Sequence, residues 1–161
     1  MKDESLLHSF AFIPHPSSFE GQMISIRNFF LDDYDAVYAL WQDAGPGIGL
    51  GRSDTRDEVG KKLQRDPDLF LLALDDDKII GTVIGGFDGR RGLIYHLAVE
   101  HAYRARGIGK MLMDEIERRL SAKGCLRCYL LVKDDASDVI EFYRRLGWDT
   151  FGTTVLAKTI S

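Results

Sequence analysis

The chain is poor in the features that would place it in a specialised class. It has only two cysteines, Cys125 and Cys128, too few to staple a disulfide-rich miniature. No long apolar run is present: the first stretches are short and broken by His8, Pro14, His15 and Pro16, whereas a membrane-spanning helix needs about 20 consecutive apolar residues. Neither a signal peptide nor a membrane partner is therefore expected, and the expected location is cytoplasmic, where thiols stay reduced. A basic excess is also missing. The 21 Lys and Arg are outnumbered by 25 Asp and Glu, for a formal net charge of −4. This leaves no electrostatic footprint for nucleic acid, though a small anion responds to local amides and charges rather than to the total. No internal repeat, low-complexity tract or interdomain linker interrupts the chain.

What remains is an ordinary globular composition over 161 residues, the length of one domain. Residues 1–22 read as an N-terminal extension and 23–161 as the domain. Met23 to Phe29 alternates as a first strand. Val37, Leu40 and Trp41 mark a helix from Asp32 or Asp33, and a second helix is expected from Ser53 or Asp54 to Arg65. Leu69–Leu74, Lys78–Phe87 and Leu93–Val99 read as three successive strands joined by turns. Ile108, Leu112, Ile116 and Leu120 recur every four residues, an amphipathic helix that Gly124 is placed to end. Cys125–Val132 reads as a strand and Asp138–Leu146 as a helix with Val139, Phe142, Tyr143 and Leu146 inward. Trp148–Thr159 reads as a terminal strand. The class is α/β: a mixed central sheet flanked by helices, with antiparallel hairpins and parallel helical crossovers.

The stretch richest in chemistry runs from Leu97 to Lys110. A strand ends, a basic turn follows, and Gly107 and Gly109 open a helix. Unpaired amides at a helix start, beside Arg104, Arg106 and Lys110, suit a phosphate or pyrophosphate. It is not a Walker A loop, because Gly109-Lys110 is followed by Met111 rather than Ser or Thr. It is not a dinucleotide fingerprint either, which requires a small residue at position 112, where Leu112 stands.

Arg104-x-x-Gly107-x-Gly109 after a strand resembles motif A of the GNAT superfamily of N-acetyltransferases, written Gln/Arg-x-x-Gly-x-Gly/Ala. Val139-x-x-Phe142-Tyr143-x-x-x-Gly147-Trp148 resembles the second signature of the same family. Asp66–Leu71, Gly85–Gly92 and Lys123-Gly124-Cys125 further resemble its YpeA-type branch. The resemblance implies a GNAT fold with acetyl-CoA as cosubstrate and no metal. It also implies that Arg104, Ala105, Arg106, Gly107, Ile108, Gly109 and Lys110 hold the pyrophosphate, while the backbone of Leu97, Ala98 and Val99 holds the pantetheine and acetyl group. Tyr143 matches the tyrosine that protonates the departing thiolate. One departure is Ala136, where many members carry an asparagine that helps to hold the cofactor.

The implied activity is acetyl transfer to an amine of a small molecule or peptide by direct attack. Acetylation of a protein N-terminus or lysine, and a non-catalytic acyl-CoA sensor, stay open as alternatives. Glu100, just past the strand, is the candidate base, directly or through a water; a water chain without a dedicated base is the other course. Alternation sends His96 to the face opposite Tyr95 and Leu97, as a packed or capped histidine. Cys125 and Cys128 are expected on opposite sides of one strand as hydrophobe-like thiols. The glycine run from 45 to 51 is read as substrate-facing. Members of the family often dimerise, which leaves a homodimer open.

Overall fold

The computed structural model describes residues 13–14, 23–45, 47–133 and 135–160. Two compact units are present, one reaching Leu131 and a smaller one from Val132. The first contains one mixed sheet in the order β1 (Ile13–Pro14), β2 (Ile24–Asn28), β3 (Phe70–Asp75), β4 (Lys78–Phe87), β5 (Gly92–Val99) and β6 (Cys128–Leu130). Every neighbouring pair is antiparallel except β5 and β6. Two residues from ahead of the first expected strand thus join the sheet, as Ile13 and Pro14 pair with Ile26 and Ser25; the rest of the 1–22 extension lies outside the described residues.

The expectation that helical crossovers join parallel strands holds for one connection and fails for the other. A single helix, α3 (Ile108–Ala122), links β5 to β6 and returns the chain to the end from which β5 began, so the strands run parallel. Between β2 and β3 the chain passes through two helices, α1 (Tyr34–Asp43) and α2 (Arg56–Arg65), and these strands pair antiparallel. A second helix carries the chain back across the sheet before the next strand starts.

β3 reads Phe-Leu-Leu-Ala-Leu-Asp, and its first five residues are all buried, because helices cover both faces of the sheet. On one face Trp41 and Val37 of α1 and Val59 of α2 pack with Phe29, Phe70, Leu72, Ile84 and Ala98. The Phe29 and Phe70 rings stack at 4.0 Å. On the other face α3 approaches β4 closely. A Cβ on Gly81 would stand 3.0 Å from Leu112 Cδ1, and one on Gly85 2.9 Å from Ile116 Cδ1. Two helix positions four apart thus fill two glycine gaps four apart on the strand. The repeat seen in sequence is the buried stripe, with Ile108, Leu112, Ile116 and Leu120 all at 2% exposure or less. Gly124, at φ +85°, ends the helix as Cys125 N–H donates to Leu120 O.

Four local expectations are corrected. The strand expected over Cys125–Val132 is only Cys128–Leu130. Cys125 precedes it, so strict alternation does not apply and the two sulfurs converge to 3.6 Å. Burial, with the hydrogen bond to Cys125, pushes the Cys128 thiol up to about 12. In the second unit, α4 (Ser137–Arg145) has no buried residue: Phe142, Tyr143 and Leu146 are half-buried and Val139 is exposed. Residues 148–160 carry no strand. Strand-forming side chains alone do not make a strand, which needs a partner edge for its amides and carbonyls.

Candidate functional site

The candidate site is built on the end of β5. The β5–β6 ladder pairs Gly92, Leu93 and Ile94 with Cys128, Tyr129 and Leu130, and stops there. Tyr95 to Val99 continue with no strand beside them on that edge among the described residues. The register of β5 on β4 shifts over the same stretch, where Thr82 faces Ala98 but Ile84 faces Tyr95. One extra residue is accommodated as a bulge at His96, whose φ is +52°. Thr82 fixes it by donating its hydroxyl to His96 O at 3.0 Å and accepting from Trp41 Nε1 at 3.0 Å. The alternation expectation fails at this bulge. His96 and Tyr95 turn to the same face, with ring centroids 5.5 Å apart, and both lie against the layer that holds Trp41.

Beyond Val99 the chain makes a short 3-10 turn over His101–Tyr103 and then a loop into α3. Ala105 has φ +59° and Gly107, the residue at the helix start, φ +81°. Two positive-φ residues two positions apart bend the loop into the helix start. The first bond within α3 is Met111 N–H to Gly107 O at 3.0 Å, and no side chain caps the helix. Among the described residues the amides of Ile108, Gly109 and Lys110 therefore have no acceptor. Among the described residues nothing stands within 4 Å of where a Gly107 Cβ would be.

The charged residues of this loop serve mainly to hold it. Arg104 donates through Nε to Val99 O at 3.1 Å and through Nη2 to Ala44 O at 3.0 Å, tying the loop to the strand end and to the start of the glycine run. The Arg106 guanidinium lies 5.3 Å from the Tyr103 ring centre, and Tyr103 donates its hydroxyl to Asp75 at 2.6 Å. Lys110 is paired with Asp114 at 2.5 Å. Glu100, the candidate base, is paired with Lys78 at 2.7 Å, while its amide donates to Ile80 O. Leu97 and Val99 are partly exposed, and Ala98 is buried in the α1–α2 layer.

Tyr143 belongs to the second unit. Its ring lies 5.1 Å from Phe142 and 6.3 Å from Trp148. Burial pushes its phenol up to about 12. Within the first unit the glycine run is anchored by Ile48 and Leu50, which pack on the α1–α2 layer. It leads to Asp54, which is 7% exposed and holds His96 Nε2 at 2.7 Å. This pair was not identified from sequence. Asp54 reads there as a helix start, whereas α2 begins at Arg56 with Thr55 as its cap. Among the described residues no group of three or more His, Cys, Asp or Glu is gathered to hold a metal, and no helix is long and apolar enough to cross a membrane.

A family profile for the acetyltransferase (GNAT) family matches residues 27–148. An acetyltransferase from Pectobacterium atrosepticum is 37% identical over 137 residues, covering 85% of this chain and 96% of that protein. One from Yersinia pestis is 36% identical with the same coverage. Among solved structures, a PaiA N-acetyltransferase from Thermoplasma acidophilum in complex with coenzyme A superposes with a TM-score of 0.72. It is 22% identical and the match covers 81% of this chain and 92% of that one.

Proposed function

The chain belongs to the acetyltransferase (GNAT) family, and from that membership we propose that it transfers the acetyl group of acetyl-CoA to an amine of a small molecule or peptide by direct attack. The observation that carries the reading is one continuous feature: a β5 edge that is open, leading into an uncapped helix start whose first three amides are unpaired, among the described residues. Loop residues Arg104 to Lys110 take the pyrophosphate, largely through backbone N–H groups, since the Arg104 and Lys110 side chains have protein partners. The backbone of Leu97, Ala98 and Val99 holds the pantetheine and acetyl arm, where an amide polarises the thioester carbonyl. Acetyl-CoA supplies an acyl group already activated for attack. Tyr143 passes a proton to the departing sulfur, and Glu100 is the candidate base through a water. Residues 23–161 are read as the catalytic domain behind the 1–22 extension.

The test is acetyl-CoA binding by calorimetry, followed by release of CoA thiol across a panel of amines and peptides. Binding with release on at least one acceptor is expected. Failure to bind acetyl-CoA overturns the reading, and binding without release on any acceptor replaces it with an acyl-CoA sensor. Gly107→Val probes the loop directly. No atom stands near a Cβ there, so the substitution acts through backbone conformation, which a β-branched residue adopts poorly at φ +81°. A strain of roughly 1–3 kcal/mol corresponds to an acetyl-CoA affinity lower by about 5–150-fold, with circular dichroism unchanged. Undiminished affinity in that variant would place the pyrophosphate elsewhere.

A further inference from the structure

The roles assigned above use neither His96 nor Asp54, although the structure fixes both. The Asp54 carboxylate accepts Gly51 N–H through Oδ2 at 2.8 Å, and its own carbonyl accepts the Tyr34 hydroxyl at 2.8 Å. Its Oδ1 lies 2.7 Å from His96 Nε2, with the two side chains 10% and 15% exposed. The His96 ring stands edge-on to Trp41, with centroids 4.7 Å apart. Its backbone is held at positive φ by the Thr82 hydroxyl. Packing alone calls for none of this, since an aliphatic residue fills such a site without a buried carboxylate or a strained backbone. With Nε2–H given to Asp54, a neutral imidazole presents Nδ1, which has no hydrogen-bond partner among the described residues.

The position relative to the proposed chemistry is specific. His96 immediately precedes Leu97–Val99, and α3 closes one face of the sheet there, its Leu112 and Ile116 filling the gaps at Gly81 and Gly85. The α1–α2 layer covers the opposite face, and the His96 ring and the end of the glycine run lie on that side of Leu97–Val99. Resting on the acetyl-transfer reading, we propose that His96, in place of Glu100, which Lys78 holds at 2.7 Å, is the base that takes the proton of the acceptor amine, and that Asp54 is the positioning residue that orients it. Three other ionisable groups of this face do not compete. Tyr95, beside the ring, is pushed up to about 12 by burial and by Asp66 and Asp54, so it keeps its proton. Tyr34 of α1 is committed to Asp54 O. On α2, Lys62 is paired with Asp66 at 2.5 Å.

The acceptor arrives as an ammonium ion and gives one proton to Nδ1, leaving an imidazolium against Asp54. The freed nitrogen lone pair forms the C–N bond at the thioester carbon as the carbonyl pair moves onto oxygen. The carbonyl then re-forms and the C–S bond breaks. The extra proton on nitrogen is passed on to the departing sulfur, and the imidazolium returns its proton to water. Ammonium plus acetyl-CoA thus yields amide, CoA thiol and one proton.

The test compares wild type, His96→Gln and Asp54→Asn in kcat/KM against pH, with the best acceptor from the amine panel, alongside acetyl-CoA affinity. His96→Gln is expected to lower kcat by about 10²-fold, to abolish the acid limb of the profile and to leave acetyl-CoA affinity unchanged. Asp54→Asn is expected to cost less in rate and to move the acid limb to lower pH, because the imidazolium loses its counter-charge. A His96→Gln enzyme with wild-type rate and an intact acid limb overturns the proposal alone. Wild type that binds acetyl-CoA yet acetylates no amine overturns the acetyl-transfer reading and the proposal with it. Where His96→Gln fails to fold by circular dichroism, Asp54→Asn decides, and an unmoved acid limb overturns the assignment.

Discussion

Tyr143→Phe is expected to lower acetyl transfer by about 10²–10³-fold while acetyl-CoA affinity stays unchanged. The substitution deletes one oxygen and keeps the ring that contacts Phe142 and Trp148, so its effect falls on proton transfer rather than on α4. The sign of the pH dependence follows from burial, which pushes the phenol up to about 12. The group therefore stays protonated through neutral pH and remains a donor up to about pH 10. A phenol this weak does not protonate a thiolate unaided. In the proposed transfer it serves as a relay, receiving a proton as it gives its own to sulfur. Steady-state release of CoA thiol, with calorimetry on the same variant, checks the split. Equal rates in wild type and Tyr143→Phe would remove Tyr143 from the reaction. The same burial has a consequence for stability. An unfolded tyrosine ionises near 10 and the folded one near 12, so its contribution is complete below pH 10 and is lost as pH rises to about 12.

The parts of the site that were legible in sequence are those whose physics is local. The α3 stripe repeats every four residues, and Gly107 and Gly124 mark its ends because each adopts a positive φ. An uncapped helix start beside a strand end is itself a short-range pattern, so the shape of this loop was readable without knowing its neighbours. Arg104 was readable as a cation, but its use was not. Its guanidinium reaches Ala44 O, 60 positions away, and so braces the loop.

The parts that escaped depend on pairings between distant segments. No glycine or proline announces the bulge at His96, where alternation breaks; it is held by Thr82, 14 positions away. Asp54 meets His96 across 42 positions, and the acidic residue before α2 reads as a cap until the fold turns it inward. The cysteine pair escaped for a related reason. Period-2 reasoning is sound within a strand, but Cys125 lies outside β6, whose short length depends on pairing with only three residues of β5.

That dependence on distant partners makes Trp41 the position with the largest expected effect on stability. Trp41 is 1% exposed, lies 5.9 Å from the Phe70 ring and closes the α1–α2 layer. Trp41→Ala removes a large buried aromatic and should cost about 3–5 kcal/mol, read as an earlier urea midpoint by circular dichroism. A second loss accompanies the cavity, because the indole N–H donates to Thr82, whose hydroxyl in turn donates to the His96 carbonyl. Thr82→Val separates the two. It preserves shape but leaves a buried indole N–H and a strained carbonyl without their partner, at about 1–3 kcal/mol for each buried group. The two variants should differ in kind as well as in size. Trp41→Ala mainly opens a void, whereas Thr82→Val mainly releases the bulge that aims His96 and should lower turnover by more than its modest loss of stability accounts for. A Thr82→Val enzyme with wild-type kcat would show that the bulge is held by packing alone, and that the hydroxyl bridge is not what turns His96 toward Asp54.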